Sequence, residues 1–118
     1  MWLITTLGFY SVVQKPWDRE AGTLTIRARA RADLEALRDS YLPDLGDIVE
    51  SGAADYRFRA QAPQASVAEA ARRIVTGIDY DNFKSAVGER QGEAREDVYH
   101  RVWQELLAIQ RSTRSSGR

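Results

Sequence analysis

Thr23-Leu24-Thr25-Ile26-Arg27-Ala28-Arg29-Ala30 alternates without a break. Leu24, Ile26, Ala28 and Ala30 fall on one side, and Thr23, Thr25, Arg27 and Arg29 on the other. Successive strand side chains point to opposite faces, so the stretch predicts a half-buried β-strand. One face joins a core. The other meets water or a partner.

Working outward, Trp2 to Thr6 and Phe9 to Gln14 are apolar and β-branched, with Gly8 between them. They read either as one long strand bent at the glycine or as two short strands. Lys15 to Gly22 contains Pro16, Asp18 and Gly22 and reads as a loop. Trp17 in that loop is either an interface anchor or a cover for the sheet edge. Arg31 to Leu42 has helical spacing, with Asp33 placed to cap it and Pro43 to stop it. Asp47 to Glu50 suggests a short edge strand. Asp55 to Gln61 alternates again, with Tyr56, Phe58 and Ala60 opposite Arg57, Arg59 and Gln61.

Ser66 and Glu69 form a capping-box pattern ahead of a helix carrying Val67, Ala70, Ile74, Val75 and Ile78. Asp79 to Gly88 reads as a polar-aromatic connector, in which Asp79 or Asp81 caps a following turn. Ala94 to Ile109 predicts a last helix with Val98, Val102, Leu106 and Ile109 on one stripe and Trp103 in the core. This order predicts an α+β fold, a mostly antiparallel sheet with helices on one face. The expected architecture is a ferredoxin-like variant with an extra N-terminal strand and a C-terminal helix. Residues 1–110 are read as a single domain and 111–118 as a disordered polar tail.

The 118 residues carry 17 basic and 17 acidic side chains and no cysteine. Disulfides and thiolate metal sites are thereby excluded, and a cytoplasmic location is expected. Arg111, Arg114 and Arg118 lie in the polar tail; without them the body has 14 basic against 17 acidic residues, a net of −3. That balance disfavours a dedicated nucleic-acid binder, whose affinity rests on phosphate neutralisation. No P-loop, G-x-G-x-x-G, H-E-x-x-H, G-x-S-x-G or C-x-x-C pattern occurs.

Two clusters carry possible ligand chemistry. Arg27, Arg29, Arg57 and Arg59 share a sheet face if their strands are neighbours, and guanidinium forks suit phosphate or carboxylate. The plainer alternative is a solvated face, or one covered by a second subunit. Asp79, Asp81 and Lys84 crowd the connector, where the alternative is a capped turn pinned by Tyr80 and Phe83. His100 is the one histidine and reads as a surface or boundary residue. No metal or cofactor is expected.

Three stretches are familiar as a set: Gly8-Phe9-Tyr10-Ser11-Val12-Val13 within Trp2 to Gln14, Leu24 to Tyr41, and Ile78 to Lys84. Together they resemble a group of small bacterial proteins of similar length and unassigned function. The resemblance implies a free-standing bacterial protein and carries no activity or site residue. The leading functional expectation is a non-catalytic interaction or regulatory module that self-associates, as a homodimer, through its sheet. The alternative is a nucleic-acid or phosphorylated-ligand binder using the arginine face. The third is a small enzyme using the connector.

Overall fold

Thr23–Ala28 forms β3, the middle strand of a five-stranded antiparallel sheet. The computed structural model describes residues 1–116, with side chains through Ser112. The chain divides into two compact units, Met1–Asp79 and a second that begins at Tyr80.

The first unit runs β1 (Trp2–Ile4), β2 (Phe9–Val13), α1 (Pro16–Ala21), β3, α2 (Arg31–Ser40), β4 (Val49–Glu50), β5 (Phe58–Pro63) and α3 (Gln64–Thr76). Its strand order is β1-β2-β3-β5-β4. The fold is α+β. The Gly8 ambiguity resolves as two strands in a hairpin, pairing Trp2 with Ser11 and Ile4 with Phe9. The Thr5 hydroxyl accepts from the amides of Leu7 and Gly8 and closes that turn.

Leu24, Ile26 and Ala28 stand beside Ala62, Ala60 and Phe58 across the β3–β5 ladder. This face meets α2 and α3, and the core gathers there around Tyr10, Ile26, Leu34, Leu37 and Ala60. α3 contributes Val67 and Ala70, but Val75 and Ile78, at the end of the expected stripe, are exposed.

The other face is also partly covered, contrary to the half-buried expectation. The expected loop at Lys15 to Gly22 is α1. Pro16 opens it, the Lys15 amide donates to Asp18 Oδ2 at 2.8 Å, and Gly22 closes it at φ 70°. A proline at the first helical position, a carboxylate in the first turn and a left-handed glycine after the last are the signals that a loop reading overlooks. Asp18 is fully buried. Its Oδ1 accepts from the Thr23 hydroxyl and from Gln61 Nε2, and its Oδ2 accepts from the Thr25 hydroxyl at 2.8 Å. Burial pushes this carboxyl up, but the donors from Thr23, Lys15, Thr25 and Gln61 outweigh it and hold the pKa below the ordinary value.

Two expected caps have other roles. Asp33 Oδ2 accepts from the Phe9 amide at 3.0 Å, tying α2 to β2 instead of capping its own helix. Ser66 donates to Asp44 at 2.7 Å, Glu69 pairs with Arg72, and α3 starts earlier, at Gln64. A Cβ on Gly8 would stand 2.5 Å from Asp33 Cγ, so only glycine lets the hairpin approach α2 this closely.

The second unit comprises α4 (Phe83–Gln91) and α5 (Glu93–Ser116). α4 is capped by Asn82, whose Oδ1 accepts from the Ser85 amide at 2.9 Å, where Asp79 or Asp81 was expected. The side chains of Phe83 and Tyr99 stack at 5.9 Å, and Trp103 is half exposed, outside the core expected for it. α5 carries the backbone to Ser116, past Arg111 where the expected tail begins; residues 117–118 of that tail lie outside the described residues.

Two outcomes are expected. Asp18→Asn lowers unfolding free energy by about 2–4 kcal/mol, because the amide leaves buried donors facing a donor. The folded pKa of Asp18 lies below the unfolded value. Its contribution is therefore present above the unfolded carboxylate pKa and is lost as pH falls through the folded one. Urea titrations from about pH 6 down to about pH 2 should show the gap between wild type and Asp18→Asn narrowing with acid. Separately, Gly8→Ala forces Asp33 off the Phe9 amide and costs about 1–3 kcal/mol in the same assay.

Candidate functional site

The ladder places Arg27 directly opposite both Ser11 on β2 and Arg59 on β5. The arginine-bearing strands are therefore neighbours. Arg27 Nη2 donates to Ser11 Oγ at 2.8 Å, and Arg59 Nη2 donates to the Tyr56 carbonyl at 3.3 Å. Tyr56 is 4 % exposed. The guanidinium carbons of Arg27 and Arg29 lie 4.5 and 4.9 Å from its ring centre. Phe9 lies 6.2 Å from Tyr56, and Trp2 meets Phe9 edge-on at 5.3 Å.

The arrangement organises charge without neutralising it. A ring attracts a guanidinium through its quadrupole and takes no hydrogen bond from the N–H donors in the guanidinium plane. Among the described residues, Arg27, Arg29 and Arg59 have no carboxylate within ion-pair distance. The Nε atoms of Arg27 and Arg59 are shut from solvent and find no acceptor in the protein. Buried donors without partners are costly, and two cations facing each other across a ladder repel. A cavity of roughly 230 Å³ opens beside Arg59, lined also by Trp17, Thr25, Asp47 and Gln61. Guanidinium groups do not exchange protons near neutrality, so this surface is equipped to hold an anion instead of performing acid–base chemistry.

Arg57 does not join the group. Its Nε donates to Glu50 Oε2 at 2.8 Å and its guanidinium lies toward Phe58. The connector residues fall on either side of the unit boundary. Asp79 ends the first unit, and Asp81 and Lys84 belong to the second. Asp81 is exposed. Lys84 Nζ donates to His100 Nδ1 at 3.0 Å and sits 4.5 Å from the Trp103 ring centre, while His100 stacks on Trp103. Among the described residues no three of His, Asp or Glu converge in a way that would hold a metal ion.

Tyr56 and Ser11 were not expected in this group. Period two through Asp55 to Gln61 assigns Tyr56 to the core side with Phe58, but the strand begins only at Phe58. Tyr56 therefore precedes the alternation, and its ring reaches the arginine face. Ser11 carries no local signal; only its register against Arg27 brings it in.

Tyr56→Phe should leave stability within about 1 kcal/mol of wild type, because the ring that both guanidinium groups contact is kept. Tyr56→Ala should cost about 3–4 kcal/mol in urea unfolding, the scale of deleting a buried aromatic ring. No protein-family model, curated protein or solved structure matches this chain.

Proposed function

We propose that this chain is a non-catalytic binding module that takes a phosphorylated ligand on the sheet face of Arg27, Arg29 and Arg59. One observation carries the reading: three guanidinium groups, two contacting the ring of one buried tyrosine, stand together with no ion-paired carboxylate among the described residues. Phosphate oxygens are acceptors of the charge and geometry that guanidinium N–H groups bind best. The net charge of −3 for the chain without Arg111, Arg114 and Arg118 favours a small ligand met by a local patch over a long polyanion.

The strand order β2-β3-β5-β4 supports a ferredoxin-like arrangement whose final strand is supplied from the N-terminal side. The cysteine-free composition and the resemblance to small bacterial proteins support a bacterial, cytoplasmic protein. Among the described residues no helix is long and apolar enough to cross a membrane. Self-association through the sheet is less well supported, because α1 and Tyr56 already occupy part of the face such a dimer would need.

Calorimetric titration with inorganic pyrophosphate, and separately with a short mixed RNA, tests the reading. The expected result is salt-sensitive binding of pyrophosphate. Arg27→Ala or Arg59→Ala should weaken it by about tenfold or more, the scale of losing a charge-assisted bond. Arg57→Ala, which removes only an exposed pair with Glu50, should bind as wild type. Equal loss in Arg57→Ala, or no binding of either probe by a folded wild type, would reject the site. Tight binding of RNA alone would replace the small ligand with nucleic acid.

A further inference from the structure

The second unit leaves most of a long helix uncovered. α4 is nine residues long and α5 spans Glu93–Ser116. Within the unit, α4 engages one side of α5 only. Phe83 stacks on Tyr99, Lys84 meets His100 and Trp103, and Gly88 lies against the Glu96 carboxylate. A helix turns about 100° per residue, so Val98, Val102, Leu106 and Ile109 lie within an arc of about 80°. That arc is centred roughly 110° away from the side that α4 engages. Val98, Leu106 and Ile109 are 43, 52 and 63 % exposed, and Val102 is half-buried. An apolar stripe of this length on a soluble chain marks an interaction surface.

The flanking charges identify what covers it. Arg101 and Glu105 border the stripe on the same side, both are exposed, and neither has an ion pair among the described residues. In an antiparallel pair of α5 helices, Val98 faces Ile109 of the other copy and Val102 faces Leu106. That register brings Arg101 of each copy opposite Glu105 of the other. Antiparallel pairing sets like flanks against each other, so the two contacts are equivalent and a two-fold axis closes the assembly. The stripe and its border are thus complementary to themselves.

We infer that α5 is a self-association helix, pairing antiparallel with α5 of a second copy along Val98, Val102, Leu106 and Ile109. This inference is independent of the ligand proposed for the arginine face, which lies in the other unit.

The test is the concentration dependence of mass, by light scattering and sedimentation on the full chain, for four variants and wild type. Wild type should be a dimer at micromolar concentration. Arg101→Glu and Glu105→Arg should each weaken the dimer by at least about tenfold, because like charges then meet at both of the equivalent contacts beside the two-fold axis. The double variant R101E/E105R should recover most of the affinity, since opposite charges meet again. Leu106→Ser should give a monomer with an unchanged circular dichroism spectrum, because Leu106 is exposed within the chain. A wild type that stays monomeric at hundreds of micromolar overturns the inference. So does a dimer indifferent to all four variants, which would place self-association elsewhere, the sheet included. Failure of the double variant to recover would overturn the antiparallel register.

Discussion

Four donors converge on one buried carboxylate, and the first unit is arranged around that convergence. Asp18 sits on a six-residue helix that is too short to persist alone. Its two oxygens accept from the helix's own leading amide, from two threonines of β3 and from a glutamine of β5. No cation takes part in those four bonds, so the charge is held by dipoles. Removing that carboxylate from water would be prohibitive unless each oxygen were satisfied, and here each accepts twice. The bonds hold α1 on the sheet face opposite α2 and α3. They also tie the central strands β3 and β5 to each other through side chains as well as through the ladder.

This placement decides what the rest of that face can be. With α1 over Thr23, Thr25 and Gln61, the remaining surface carries Ser11, Arg27 and Arg59. Tyr56, arriving from the segment before β5, sets its ring against Arg27 and offers its carbonyl to Arg59. The aromatic row from Trp2 through Phe9 to Tyr56 flanks the arginines. Two guanidinium groups opposite one another, each with an enclosed and unpartnered Nε, carry a cost to the fold. Their cost is offset by the apolar face beneath, where Ile26, Ala28 and Ala60 join the core. Among the described residues no carboxylate forms an ion pair with this cluster, which is the feature the proposed ligand would answer.

How much of this was legible depended on whether the signal was local. Thr23 to Ala28 and the later part of Asp55 to Gln61, from Phe58 on, declare themselves through period two, and their pairing follows from the hydrophobic faces they share. The short edge strand at Val49 was legible from two apolar residues and its neighbours. The residues of α1 suggest a loop because Pro16, Asp18 and Gly22 are turn-formers individually, and only their spacing marks a short helix. Asp33 and Ser66 have the side chains of caps but bond across the fold, to Phe9 and Asp44. No neighbouring residue encodes that choice. Helical periodicity suggests a core place for Trp103, because it reports an apolar face without reporting whether anything covers it. The arginine-bearing strands are neighbours, as the shared face requires, but Arg57 precedes its strand and Glu50 on the adjacent strand pairs with it.

Arg57 and Arg59 show why a basic cluster cannot be counted from sequence alone. Both are arginines two positions apart, and an ideal strand would present both on one face. Arg57 finds Glu50 at 2.8 Å and is half exposed, so its charge is locally answered and screened by water. Arg59 has a partly enclosed guanidinium, bonded to a carbonyl and facing Arg27, so its field is neither screened nor cancelled to the same degree. An incoming anion gains most where charge is organised and unanswered, because little rearrangement and no ion-pair breakage is needed. By that criterion the anion site proposed above belongs where β3 and β5 run side by side beneath Tyr56, and Arg57 belongs to the hairpin that frames it.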